Sequence, residues 1–271
     1  MKIAILAAGT SKYFPLFIDK PKCLYHLNGM IQLERVIEDA KTIVDEKDII
    51  IVAGYKAKYI ERFLEKYPDV KLKINEKYAE AAIHSFRKAI EGEDDDFIFM
   101  FGDESISRTN LRRIAESKRK IAVLNTDKYW YYSLGIMKMR RDQINIINDE
   151  KYLSLEYIKD IFEFVNRKKY DYTFDINSGI CIGYTMIDFI LRVGNIKKIE
   201  DPQKFYIGTD IDFLFYDVNA EYIPDLDTIE DTDEYKNSFM LRVYTKCISE
   251  VLKLPRRIYQ REKRKWMRLF Q

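Results

Sequence analysis

The chain opens on the apolar run Lys2-Ile3-Ala4-Ile5-Leu6, which stops at the small-residue stretch Ala7-Ala8-Gly9-Thr10-Ser11-Lys12. Two more runs follow: Ile49-Ile50-Ile51-Val52-Ala53, ended by Gly54-Tyr55, and Phe97-Ile98-Phe99-Met100-Phe101, ended by Gly102-Asp103. Short uninterrupted apolar stretches predict strands covered on both faces, as in a parallel sheet between helix layers. Between them the period lengthens. Ile31, Leu33, Val36, Ile37, Ala40, Ile43 and Val44 fall near helical spacing, and Tyr59, Ile60, Phe63 and Leu64 mark a second helix. A short strand over 72–75 and a third helix over 79–90 complete the alternation. This βαβαβαβ order predicts an α/β fold of Rossmann-like type, three-layered, with a mainly parallel or mixed sheet and right-handed crossovers. In such sheets ligands sit at the carboxyl ends of the strands. The Ala-Ala-Gly turn and Asp103 both fall there.

The second half is less regular. Strand-like patterns cover 134–139 and 143–148, a helical pattern covers 154–167, and a further strand pattern covers 179–184. Thr209-Asp210-Ile211-Asp212, ahead of Phe213-Leu214-Phe215, reads as a helix start with capping acids and not as a metal site. Residues 233–252 read as a helix with Tyr235, Phe239, Val243, Cys247 and Val251 on one face, broken by Pro255. Beyond it, a helical winding gathers Ile258, Tyr259, Trp266, Leu269 and Phe270 on one side, with Arg257, Arg261, Arg264, Lys265 and Arg268 on the other. Two readings of this basic tail are open: an anionic membrane surface, or packing on its own domain or a second subunit. The chain has no repeat and no low-complexity linker. It divides into one domain over 1–240 and a helical basic extension over 241–271.

Composition narrows the function classes. The 271 residues suffice for a large core. Forty-six basic residues against forty-four acidic ones leave no global field for nucleic acid. Cys23, Cys181 and Cys247 are far apart and lack metal spacing, so they are expected as reduced thiols of a cytoplasmic protein. With His26 and His84 the only histidines, no histidine-based metal site is expected. The chain begins directly on a core strand, which leaves no room for a signal peptide, and no apolar run reaches membrane-spanning length.

Candidate chemistry starts at the first turn. Small residues directly after a strand let backbone N–H groups approach an anionic ligand closely. Lys22, held by Pro21, can set a cation on the same phosphates. Asp103 follows a strand and a glycine, where a helix cap is the plain alternative. Near the carboxyl terminus stands Pro224-Asp225-Leu226-Asp227-Thr228-Ile229-Glu230-Asp231. In extended backbone Asp225 and Asp227 point the same way, and with Asp103 they offer hard oxygen ligands suited to Mg²⁺ on a triphosphate. Thr228 or Asp231 can equally cap a following helix.

Leu6-Ala7-Ala8-Gly9, Pro15-Leu16 and Pro21-Lys22 together resemble the nucleoside-triphosphate transferase superfamily. The loop is one residue shorter than the family pattern, lacks its second glycine, and carries Lys12 or Tyr13 where the family has an arginine. Asp-x-Asp-Thr-x-x-Asp in the right order after Gly102-Asp103 is similar to cytidylyltransferases that activate phosphocholine or acidic sugars. Asn75 to Tyr78 with Ile83 to Phe86 looks most like the bacterial phosphocholine branch, which has an asparagine where Ala81 or Ala82 stands.

The resemblance implies a nucleotidyltransferase (GT-A-like) fold and a Mg²⁺-dependent enzyme. It would transfer a nucleoside monophosphate, with CTP favoured as donor, to a phosphorylated small molecule or sugar phosphate, releasing pyrophosphate for surface-polymer assembly. Lys22 would stabilise charge on the α-phosphate and Lys12 would hold the β- and γ-phosphates. Leu6, Ala7, Ala8, Gly9, Thr10 and Ser11 would cradle the nucleotide, with Ala82 and Ser85 beside it. His84 and Ser85 fit an ordinary helix face equally well. Asp103, Asp225 and Asp227 would hold the metal, and Glu104, Asp175 and Asn177 would face the acceptor. The protein is then expected in the cytoplasm or peripherally at the inner membrane face, with the tail as a membrane or homodimer contact. Two other classes share features: a GT-A glycosyltransferase, which does not need Ala-Ala-Gly with Pro-Lys, and a nucleotide-binding scaffold of weak activity.

Overall fold

The computed structural model describes residues 1–10, 20–80, 83–104, 106–119, 121–126, 129–148, 211–215 and 232–238. Their elements run in the order β1 (Lys2–Ala7), β2 (His26–Leu27), β3 (Met30–Ile31), α1 (Gln32–Ala40), β4 (Ile49–Ala53), α2 (Ala57–Phe63) and β5 (Lys71–Ile74). Then come α3 (Ile83–Ile90), β6 (Phe97–Phe101), α4 (Arg108–Glu116), β7 (Ile121–Thr126), β8 (Tyr129–Met139), β9 (Ile211–Phe215) and α5 (Asp233–Asn237).

The described strands form a seven-stranded sheet in the order β5-β4-β1-β6-β8-β7-β9. β5, β4, β1 and β6 pair in parallel; β8 runs antiparallel between β6 and β7, and β9 pairs parallel with β7. β1 is therefore interior, flanked by β4 (Ile5↔Ile51) and β6 (Ile5↔Met100). Its burial on both faces explains its apolar run. Ile3, Ile5, Ile49, Ile51, Ile98 and Met100 meet Leu33, Val36 and Ile37 of α1, Ile60 of α2 and Leu111 and Ile114 of α4 in one core cluster. On the other face Phe99 packs on Phe86 of α3, ring centroids 4.9 Å apart. The result is a three-layer α/β fold with a mixed, mainly parallel sheet.

Several expectations change. The segment 143–148, expected as a strand, lies in a 3₁₀ helix, Arg141–Asn148. Ile144 and Ile147, three apart, are both buried there, because i and i+3 eclipse in that helix. Residues 211–215, expected to start a helix, form strand β9 in register with β7 (Ile211↔Ile121). Ile-Asp-Phe-Leu-Phe is a strand-forming composition, and an open sheet edge captures it. The third helix begins at Ile83, with Ala79 and Glu80 in a turn. α4 and β7 had no counterpart in the sequence reading. The helix expected from Asp233 does begin there, and its continuation beyond 238 lies outside the described residues, as do the patterns at 154–167 and 179–184. Among the described residues no helix is long and apolar enough to cross a membrane.

Candidate active site

The carboxyl end of β1 is pinned from both sides. Gly102 N donates to Leu6 O at 3.0 Å, and Tyr55 N donates to Ala8 O at 3.1 Å. Leu6, Ala7 and Ala8 are buried, whereas Gly9 and Thr10 are exposed beyond them. This fixes a short backbone ledge whose last two described residues, Gly9 and Thr10, are exposed.

Lys22 reaches the same end of the sheet by a different route. Pro21, at φ −56°, opens a 3₁₀ turn over Lys22–Leu24, closed by Leu24 N to Pro21 O at 3.0 Å and Tyr25 N to Lys22 O at 3.1 Å. Cys23 and Leu24 are buried and anchor the turn, leaving the lysine at the surface of the cleft. Its ammonium forms an ion pair with Asp103, two residues past β6. The Asp103 backbone is itself held, since Gln32 Nε2 of α1 donates to its carbonyl at 3.2 Å. Burial, and then the Asp103 charge, push the Cys23 thiol up to about 12. That excludes Cys23 as a nucleophile at neutral pH, because the thiolate is the reactive form. Glu104 sits half-buried beside Asp103.

A second support runs beneath the ledge. Asn75 N donates to Ala53 O at 2.8 Å, its Nδ2 donates to Ser85 Oγ at 2.9 Å, and its Oδ1 accepts from Lys77 N at 3.0 Å. Ser85 is thus buried in a polar joint between α3 and the end of β5. The turn this orders brings Tyr78 against Gly54. A Cβ on Gly54 would lie 2.4 Å from Tyr78 Cβ and 2.9 Å from Ala8 Cβ, so glycine is what lets the three segments meet.

A third contact ties the chain's two ends together. β2 and β3 form a hairpin through Asn28 (φ 53°) and Gly29 (φ 80°), the two-residue turn that Asn-Gly favours. Asp233 Oδ1 and Oδ2 accept from the N–H groups of Asn28 at 3.2 Å and Gly29 at 2.6 Å. Glu234 accepts from His26 N at 3.1 Å and Lys20 Nζ at 3.1 Å, and lies 2.9 Å from His26 Nδ1. Burial raises the Glu234 carboxyl, but the hydrogen bonds from His26 and Lys20 outweigh it, so it stays below its ordinary value.

Of the residues singled out from the sequence, the structure gathers Leu6, Ala7, Ala8, Gly9, Thr10, Lys22, Asp103 and Glu104 at one end of the sheet, with Ser85 in the support beneath. Ser11, Lys12, Ala82, Asp175, Asn177, Asp225 and Asp227 lie outside the described residues. Among the described residues no group of three or more His, Cys, Asp or Glu could hold a metal ion. Sequence reasoning missed Gln32, Gly54, Tyr78, Asp233 and Glu234. The hairpin was also missed, although Asn28-Gly29 is the signal that could have found it; nothing in the sequence marks what caps it.

The mixed, mainly parallel sheet between helix layers places the chain among α/β proteins of the nucleotidyltransferase type. The chain belongs to the MobA-like NTP transferase domain family, whose model matches residues 3–155. It is 30% identical over 139 residues to the CTP:phosphoglutamine cytidylyltransferase of Campylobacter jejuni, an alignment covering 48% of this chain and 54% of that protein. The chain thus spans about half the length of that curated relative. Two solved structures share the fold over most of the chain. The inositol-1-phosphate CTP transferase from T. maritima matches with a TM-score of 0.56 at 14% identity, covering 90% of this chain and 95% of that one. The CTP:phosphocholine cytidylyltransferase from Streptococcus pneumoniae matches with a TM-score of 0.53 at 18% identity, covering 90% and 98%.

Proposed function

We propose that this chain is a Mg²⁺-dependent cytidylyltransferase that moves CMP from CTP to a phosphorylated small molecule or sugar phosphate. The observation that carries the reading is the Lys22–Asp103 ion pair beside the Leu6–Thr10 ledge. An acceptor phosphate oxygen attacks the α-phosphorus in line. The bond from the α-phosphorus to the bridging oxygen of the β-phosphate breaks, and pyrophosphate leaves with that electron pair. Chemistry of this kind asks the protein for positioning and charge neutralisation more than for a nucleophile. Lys22 neutralises charge as it builds on the α-phosphate, and Lys12 holds the β- and γ-phosphates. The backbone of Leu6 to Thr10 cradles base and phosphates, and Glu104, Asp175 and Asn177 face the acceptor.

Asp103, Asp225 and Asp227 would hold the metal. Their carboxylates are hard oxygen donors, and Asp103 stands where its charge can be shared between a cation and Lys22. When bound, Mg²⁺ supplies further neutralisation of the triphosphate. CTP is favoured because the named relatives at 30% identity and at the level of the fold use it. In this reading the protein works in the cytoplasm, its product feeds surface-polymer assembly, and the basic tail contacts either an anionic membrane or a second subunit.

The test is pyrophosphate release from each nucleoside triphosphate with Mg²⁺ against a panel of phosphorylated metabolites. The expected result is turnover with CTP and a subset of acceptors. Release of nucleoside diphosphate from a nucleotide-sugar would make the chain a glycosyltransferase. Binding of triphosphate without turnover of any acceptor would make it a scaffold.

A further inference from the structure

We propose that Gln32 is a positioning residue for the transfer step, a strut that holds the Lys22 turn and the Asp103 loop together so that their ion pair is preset. The inference rests on the assignment of Lys22 to the α-phosphate under the proposed function.

Gln32 is the first residue of α1 and reaches both halves of the pair. Its backbone N–H donates to Tyr25 O at 3.0 Å, and Tyr25 N donates to Lys22 O at 3.1 Å, closing the turn that carries the lysine. Its side chain reaches the other half, where Nε2 donates to Asp103 O at 3.2 Å. A run of three hydrogen bonds thus joins the Lys22 carbonyl to the Asp103 carbonyl through one residue, and the ion pair closes the ring. The Asp103 side is stiff for a second reason. Gly102 N donates to Leu6 O at 3.0 Å, and a Cβ on Gly102 would stand 3.0 Å from Ala7 Cβ and 3.5 Å from Leu33 Cδ1.

Packing alone does not ask for a glutamine here. Gln32 is fully buried, at the end of a helix face that also buries Leu33, Val36, Ile37 and Ala40. A buried amide has a desolvation cost that an apolar side chain of similar volume would not carry, and its hydrogen bonds do little more than offset it. What an apolar side chain cannot supply is a directed donor for Asp103 O. Without that brace the ion pair, whose side chains are 25% and 20% exposed, fixes its own geometry weakly. Lys22 must meet charge as it develops on the α-phosphate, and a misplacement of about 1 Å in such a group can cost about 10²-fold in rate.

The experiment uses the full chain with two substitutions. Gln32→Met keeps the length without the donor; Gln32→Asn keeps the amide but is one methylene too short for the contact. Each is made alone and together with Lys22→Ala. Steady-state pyrophosphate release gives kcat and the KM for the triphosphate. Peptide mapping gives the rate of reductive methylation of Lys22 in the folded chain, with the buried Lys73 of β5 as reference. Both variants should lower kcat roughly tenfold or more with little change in KM. Neither should lower it much further once Lys22 is alanine, because groups that act as a unit are not additive. Lys22 should be methylated faster in both variants while Lys73 stays protected. Native kcat in either variant overturns the positioning role, and so does full additivity with Lys22→Ala. Equal acceleration at Lys73 in both variants means that Gln32 supports the fold as a whole, which overturns it too. Unchanged methylation of Lys22 overturns the strut itself. If the native chain releases no pyrophosphate from any triphosphate, the proposed function falls, and Lys22 methylation still decides whether Gln32 fixes the pair.

Discussion

Gly54→Ala tests the architecture under the Leu6–Thr10 ledge directly. The new Cβ would stand 2.4 Å from Tyr78 Cβ, 2.8 Å from Tyr78 Cγ and 2.9 Å from Ala8 Cβ. Carbon atoms pack best at about 3.5–4.0 Å, so Tyr78 or Gly54 must retreat by about 1 Å. None of the three contacts is to the loose end of a side chain; a Cβ moves only with its backbone. Tyr78 is tied through the turn that Asn75 orders, and Ala8 through its bond with Tyr55 N. Overpacking against such rigid neighbours destabilises by about 1–3 kcal/mol. For a chain of this size that lowers the melting midpoint by about 2–12 °C. Because Ala8 is one of the atoms displaced, triphosphate affinity should fall together with stability. Gly9→Ala is the matched control. A Cβ there meets nothing within 4 Å, so melting should be unchanged while affinity drops where a phosphate needs the bare backbone. Thermal melting and calorimetric CTP titration of both variants read the outcome. A Gly54→Ala protein that melts and binds like the native chain refutes the three-way contact. A Gly9→Ala protein with native affinity refutes the ledge as a phosphate site.

Lys22→Ala should lower kcat by roughly 10²-fold with a smaller change in KM, since its charge matters most where charge builds in the transition state; steady-state kinetics showing only a KM defect would reassign it to ground-state binding. Glu93, almost fully buried, pairs with Lys2, Lys71 and Lys73, so Glu93→Gln should destabilise by about 3–5 kcal/mol in chemical denaturation at neutral pH. Burial raises the Glu93 carboxyl, but hydrogen bonds from the three lysines outweigh it and lower it from 4.5 to about 2. A depressed carboxyl contributes stability above its ordinary value and loses it as pH falls towards about 2, so the native protein should weaken across that window and Glu93→Gln should flatten the slope. Cys23, buried with its thiol pushed up to about 12, should resist alkylation at pH 8 in the native state and react on denaturation, as peptide mapping would show.

The sheet was legible where burial on both faces left a continuous apolar signal, at β1, β4 and β6. It was not legible where the environment decides the element. Ile144 and Ile146 fit a strand's alternation, Ile144 and Ile147 a 3₁₀ helix's period of three, and the buried pair is the second. α4 buries Leu111 and Ile114 among Arg108, Arg112, Arg113 and Glu116, too short an apolar stripe to stand out. Before and within 211–215, Asp210 and Asp212 invited a cap reading, but the partner strand β7 was itself unread, so no edge was visible for β9 to join.

The same limit governs the site. Lys22 and Asp103 each stood out by local context, one after a proline and one after a strand and glycine. Their pairing needs β6 beside β1, and that register belongs to the folded sheet. Glu234 carried no local mark at all, because an acid in the first turn of a helix is what the helix dipole favours anyway. Its meaning comes from the other end of the chain. In the Asn28-Gly29 turn both central N–H groups face outward, away from the two-strand ladder, and so stand open to an acceptor. Asp233 meets both, Glu234 meets the amide at the hairpin's base, and the start of α5 is thereby specified by a turn more than two hundred residues earlier. A hairpin that only closed the chain would work with any turn. This one must keep Asn28 and Gly29 at positive φ, because another turn type would redirect the amides and leave Asp233 without its donors. The pair of residues that looks most like plain turn chemistry is therefore coupled to the first turn of α5.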